Sequence, residues 1–148
     1  MGRILAIDYG KKRTGIAVSD PLKIIAGGLT TVETPTLLDF LQDYMAKEEV
    51  ERIVVGKPTQ VNGEDSENMK RITPFVNRLH KLYPTLPIDF FDERFTSVLA
   101  HKTMIDSGIS RKKRADKALV DQISATIILE DYLNSALPTT NDQRPTTN

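Results

Sequence analysis

Apolar and polar positions divide the chain into short apolar runs and longer periodic stretches. Arg3-Ile4-Leu5-Ala6-Ile7 is almost continuously apolar, as a strand covered on both faces should be, and it runs into Asp8-Tyr9-Gly10. Gly10-Lys11-Lys12-Arg13 reads as a reversal and Thr14-Gly15-Ile16-Ala17-Val18-Ser19 as a second strand, which makes a hairpin with Asp8 near its root. Lys23 to Val32 predicts a third strand, with Gly27-Gly28 marking a bulge or bend. Three consecutive strands form an antiparallel meander.

The period then changes. Thr34-Pro35 supplies a cap and first residue for a helix whose Leu37, Leu38, Leu41 and Met45 share one face and which ends near Lys47 or Glu48. Arg52-Ile53-Val54-Val55-Gly56 is a buried strand, so strand, helix and strand imply a parallel crossover. Residues 57–65, with Pro58, Asn62 and Gly63, form a loop at its carboxyl end, where open α/β sheets place ligands. Met69, Ile72, Val76, Leu79 and Tyr83 lie on one stripe of a second helix, capped by Ser66 and interrupted by Pro74. Pro87-Ile88-Asp89-Phe90-Phe91 is a fifth strand that delivers Asp92-Glu93-Arg94 at its end. A third helix is expected over 96–106, then a basic linker containing Arg111-Lys112-Lys113-Arg114, then a last helix over 117–133 with Asp116 as its cap. Leu119, Val120, Ile123, Ile127, Ile128 and Leu129 cover much of that helix, which implies deep packing.

At 148 residues the chain has the length of one ordinary domain. We expect that domain over 1–135 and a disordered polar tail over 136–148, rich in Thr, Asn and Pro. Twenty basic and twenty acidic residues balance, so a nucleic-acid function must rest on a local basic patch. The absence of cysteine excludes a disulfide framework, a thiolate zinc site and a cysteine nucleophile. With no signal-peptide pattern and no apolar run of spanning length, the expectation is a cytoplasmic protein without a membrane partner.

Asp8, Glu93 and Asp121 share a property: each is an acid at the end of a strand or in the early turns of a helix otherwise built for burial. A buried carboxylate needs a metal, a cation or several donors. Converging, the three would form an oxygen-rich site of the kind that suits Mg²⁺ or Mn²⁺. In the competing reading Asp8 is a turn residue satisfied by backbone N–H groups, Glu93 pairs with Arg94, and Asp121 serves the amino-terminal region of its helix. His80 and His101 are isolated and take no role, and Phe90, Phe91 and Phe95 are assigned to the core.

Ile7-Asp8-Tyr9-Gly10-Lys11-Lys12-Arg13-Thr14-Gly15-Ile16-Ala17-Val18-Ser19-Asp20 closely resembles the opening motif of the YqgF (RuvX-type) family, described as Holliday junction resolvases or pre-16S rRNA nucleases. The resemblance continues in Ile53-Val54-Val55-Gly56 with Pro58, in Asp92-Glu93-Arg94-Phe95-Thr96, and in Val120-Asp121-Gln122-Ile123-Ser124-Ala125 through Ile128-Leu129. It implies an α/β, ribonuclease H-like fold: a five-stranded mixed sheet, its first three strands antiparallel, flanked by helices. Asp8, Glu93 and Asp121 would be the acidic triad that holds catalytic Mg²⁺ or Mn²⁺. Fold relatives among the bacterial junction resolvases carry a fourth acid on the last helix, where this chain offers Asp121, so the number of metals stays open. Two departures stand out: Lys57 with the loop 59–63, which would border the site, and Ile123-Ser124 in place of an Ala pair.

The function so implied is metal-assisted hydrolysis of a nucleic-acid phosphodiester, with processing of the 5′ end of pre-16S rRNA favoured over resolution of DNA junctions. Lys12, Arg13 and Arg94 would position phosphates, and Arg111, Lys112, Lys113 and Arg114 would track the backbone without reading sequence. Competing readings of these cations are a solvated linker and local pairing with Asp8 or Asp20. A non-catalytic RNA- or protein-binding module of the same fold is the alternative from another class. An actin-like ATPase is disfavoured because such enzymes bind nucleotide between two domains. Monomer and homodimer both remain open.

Overall fold

Ile4, Leu5, Ala6 and Ile7 are all buried because the strand that carries them, β1 (Arg3–Asp8), lies at the centre of a five-stranded sheet covered on both faces. The computed structural model describes residues 2–57, 69–92 and 117–136. The expected cap Ser66, the helix over 96–106, the basic linker, Asp116 and the tail lie outside those residues.

The sheet order is β3-β2-β1-β4-β5. β2 (Arg13–Ser19) pairs antiparallel with β1, and β3 (Ala26–Glu33) antiparallel with β2. β4 (Val50–Lys57) and β5 (Ile88–Asp92) add in parallel on the other side. The expected bulge is present: Ile16 pairs with Thr30 and Ala17 with Gly28, which leaves Leu29 as the extra residue on β3. The third strand starts later than its apolar pattern suggests. Lys23 has a positive φ of 61°, and residues 21–25 form a turn that exposes Leu22, Ile24 and Ile25.

Side-chain alternation sorts the core into two layers. Leu5, Ile7, Ile16, Ile53 and Val55 face α1 (Leu37–Lys47) and α2 (Met69–Leu82), and Ile4, Ala6, Ala17 and Val54 face the last helix, α3 (Lys117–Ala136). On α3 the residues that meet the sheet are Ala125, Ile128, Leu129 and Leu133, a stripe at helical spacing.

Pro74 does not end α2, which runs through it from Met69 to Leu82. Ile72, Phe75, Val76 and Leu79 are buried on both sides of the proline. Burying each is worth about 1.5–3 kcal/mol, which together outweighs the roughly 3 kcal/mol cost of an interior proline. The start of α1 also differs from expectation. Thr34–Thr36 is a 3₁₀ turn, and Thr34 makes no cap for α1 because its hydroxyl is engaged elsewhere. Phe91 belongs to the core, against the edge of Tyr132 with ring centroids 6.1 Å apart. Phe90 points the other way on an edge strand and is 43% exposed, contrary to its assignment to the core.

Candidate active site

Parallel pairing gathers the carboxyl ends of three strands at one edge of the sheet. Ile7 lies beside Val55, Gly56 beside Phe91 and Lys57 beside Asp92, so the ends of β1, β4 and β5 come level. Asp8 is the last residue of β1, and by alternation it continues the Ile4 and Ala6 row that faces α3. Glu93 follows directly on the end of β5 and lies outside the described residues, as do Arg94, Arg111, Lys112, Lys113 and Arg114.

Asp121 comes to the same place through a glycine. Gly15 is the register partner of Asp8, and a Cβ at Gly15 would collide with the backbone carbonyl of Asp121. The helix therefore rests on bare backbone one strand away from Asp8. Asp121 also lies four residues before Ala125 and seven before Ile128, on the stripe that faces the sheet. Two further contacts hold this end of α3 down. The Thr31 hydroxyl donates to the Ala118 carbonyl at 2.6 Å, and the Gln122 side chain packs over Gly28, where a Cβ would lie 2.6 Å from Nε2.

The reversal after Asp8 is fixed just as closely. A Cβ at Gly10 would collide with the Arg13 carbonyl, so the turn is closed tightly around a missing side chain. The Thr34 hydroxyl donates to the Gly10 carbonyl at 2.7 Å, and the Thr34 N–H donates to the Lys12 carbonyl at 2.9 Å. With its single proton thus used, Thr34 Oγ1 accepts from the fully buried Thr14 hydroxyl at 2.9 Å. Tyr9, the residue after Asp8, packs against Phe75 of α2 with ring centroids 5.3 Å apart.

Of the expected cations, Lys12 is exposed at the tip of the reversal, and Arg13 turns inward to the acid. Arg13 Nε donates to Asp121 Oδ2 at 3.0 Å across 108 positions of sequence. The structure thus brings together Asp8, Asp121 and Arg13. Gly15, Gly28, Thr31 and Thr34 position them; the sequence pattern marks Gly28 as a bulge and Thr34 as a helix cap, and gives none of the four a part in the site. Gly15 alone carried a signal of such a part, since a glycine inside an apolar strand marks a close approach.

The donors present fit a hard divalent cation. Asp8 and Asp121 supply carboxylate oxygens at one sheet edge, and Glu93 is the next residue in sequence after the end of β5. Among the described residues no group of three acids or histidines is assembled, because only two of the expected three acids are described.

Residues 2–135 match the RuvX family, described as Holliday junction resolvase. The chain belongs to that family. A relative from Phocaeicola vulgatus, named "Putative pre-16S rRNA nuclease", is 64% identical over 135 residues, covering 91% of this chain and 97% of its own. A relative of the same name from Bacteroides thetaiotaomicron is 64% identical over 135 residues, covering 91% of this chain and 98% of its own. Membership of RuvX makes the chain a nuclease, a hydrolase of phosphodiester bonds. Among solved structures, the Fowlpox virus resolvase in complex with Holliday junction DNA superposes with a TM-score of 0.54 at 14% identity, covering 92% of this chain and 99% of that one. That similarity and the five-stranded mixed sheet agree with the expected ribonuclease H-like fold of RuvX. No helix among the described residues is long and apolar enough to cross a membrane.

Proposed function

We propose that this RuvX chain is a metal-dependent nuclease that processes the 5′ end of pre-16S rRNA during ribosome biogenesis in the cytoplasm. Asp8, Glu93 and Asp121 would hold Mg²⁺ or Mn²⁺. The observation that carries this reading is the seating of Asp121 on Gly15, directly across the register from Asp8. The preference for RNA rests on the name borne by relatives that are 64% identical over nearly their whole length.

Held by these acids, the metal would polarise a phosphoryl oxygen and acidify an attacking water. The chain's own residues do the rest. The rigid reversal and the α3 seat fix two carboxylates before substrate arrives, so little reorganisation is needed at the moment of reaction. Lys12 and Arg13 flank the acids and would take the phosphate backbone, with Arg94 beside Glu93. Arg111, Lys112, Lys113 and Arg114 would extend that contact without reading sequence. Trimming one strand asks for no second copy, whereas cutting a junction symmetrically does.

The test is cleavage of a 16S rRNA precursor bearing its 5′ extension and, in parallel, of a four-way DNA junction, each with Mg²⁺, Mn²⁺ or a chelator. Metal-dependent cleavage of the RNA, lost in Asp8→Asn, is the expected result. Cleavage of the junction alone would transfer the function to DNA. No cleavage of either, with binding unchanged in Asp8→Asn, would leave a binding module.

A further inference from the structure

Arg13 stands where two demands meet. It is the first residue of β2, on the same side of the strand as Gly15, and this parity sends its side chain to Asp121. Its Nε bonds Asp121 Oδ2 at 3.0 Å, and among the described residues its guanidinium has no other side-chain partner. The side chain is 36% exposed, which leaves it partly accessible to a ligand.

We propose, on the reading of Asp121 as a metal-holding acid, that Arg13 couples metal loading to nucleic-acid binding. In the free protein the guanidinium is the counter-ion of Asp121. A divalent cation on that carboxylate would place like charges within a few ångströms of one another, and partial exposure weakens that repulsion without removing it. The free protein therefore binds the cation weakly. A phosphodiester changes the balance. The planar fork of Arg13 matches two phosphate oxygens, and the phosphate charge neutralises the guanidinium whether Nε leaves Asp121 or stays. Each ligand then favours the other, by the same factor in both directions. The consequence is a nuclease that assembles its metal site on substrate and holds little metal otherwise.

The experiment measures Mn²⁺ binding to the free full-length protein by electron paramagnetic resonance. In the same preparations, affinity for a short single-stranded RNA is read by fluorescence anisotropy in chelator. Arg13→Gln keeps a donor of similar reach and drops the charge; Arg13→Lys keeps the charge; Asp121→Asn removes the acid. We expect Arg13→Gln to bind Mn²⁺ about tenfold tighter than wild type, the size of an ordinary coupling. Its RNA affinity should fall severalfold, and Arg13→Lys should match wild type for Mn²⁺. Unchanged or weaker Mn²⁺ binding in Arg13→Gln, with Asp121→Asn still abolishing it, would overturn the coupling and leave Arg13 as an orienting residue. Unchanged RNA affinity in Arg13→Gln would overturn the phosphate half. Mn²⁺ binding insensitive to Asp121→Asn would overturn the metal reading itself, and the proposal with it.

Discussion

Gly15 and Asp121 meet backbone to backbone, the strand residue lying under the helix carbonyl with no space for a Cβ between them. Because Gly15 is also the register partner of Asp8, this contact sets the relation of the two acids. Gly15→Ala must lift or slide the start of α3. Overpacking of this kind costs about 1–3 kcal/mol in a tight core. Cleavage should fall much further, by about 100-fold, because small misplacements of catalytic groups are amplified in rate. Urea denaturation beside cleavage of the rRNA precursor checks both. Activity that tracks the folded fraction alone would mean the contact is only structural.

Thr34 ties the Asp8 reversal shut. Thr34→Val keeps the shape and the N–H to Lys12 but leaves the Gly10 carbonyl and the fully buried Thr14 hydroxyl without a partner. A loss of about 1–3 kcal/mol is expected for leaving a buried hydroxyl and a half-buried carbonyl unsatisfied. Thr34→Ser should stay close to wild type in the same urea titration. Equal stability of Val and Ser variants would show that neither bond matters.

The case of Thr34 shows where sequence reasoning reached its limit. Apolar runs made β1 and β4 readable, because burial on both faces leaves a continuous signature; the short run Ile88 to Phe91 marked β5 as well, although its edge position leaves Phe90 exposed, and the Gly27-Gly28 pair announced the bulge that leaves Leu29 unpaired. A threonine before a proline, however, looks like a helix cap whichever partner its hydroxyl finds. That partner, Gly10, lies 24 positions away, and only the folded meander brings it near. The same holds for Arg13 and Asp121, 108 positions apart. Local charge patterning offered only Asp8 or Asp20 as alternative partners for Arg13, since a pattern along the chain cannot register a neighbour supplied by the last helix. At Pro74 the apolar stripe on both sides made the helix legible, whereas the depth of burial that outweighs the local cost of the proline was not.

At the far end of α3 a second polar cluster spans helix and sheet. Asp89 Oδ2 accepts from Arg52 Nη1 at 2.6 Å and from the Tyr132 hydroxyl at 2.7 Å. Burial, aided by the bond to Asp89, pushes the Tyr132 pKa up to about 12 from an ordinary 10.0. The raised value favours the neutral phenol in the folded state. Its stabilisation is complete below pH 10 and is lost as pH rises through 12. Unfolding free energy should therefore fall over that interval. Tyr132→Phe should cost about 1 kcal/mol at neutral pH and show a shallower alkaline fall. An identical alkaline slope in the Phe variant would remove Tyr132 as its source.

The turn between β2 and β3 offers the complementary case at acid pH. Asp20 Oδ1 accepts the N–H groups of both Ile24 and Ile25 at 2.8 Å. These bonds, Ile25 first, hold the carboxyl below its ordinary 3.8 against a smaller opposing effect of desolvation. A depressed pKa contributes order that is present above 3.8 and lost as pH falls through the folded-state value. The readout is local, in amide exchange corrected for intrinsic rates. Ile24 and Ile25 should be protected at neutral pH and lose protection at a pH below 3.8. In Asp20→Ala the protection should be missing throughout. In Asp20→Asn, whose side-chain carbonyl accepts but does not titrate, it should persist in part with no acid transition. Full protection in the Ala variant would show that the turn is held by its backbone bonds alone, among them Lys23 N–H to the Asp20 carbonyl at 2.9 Å.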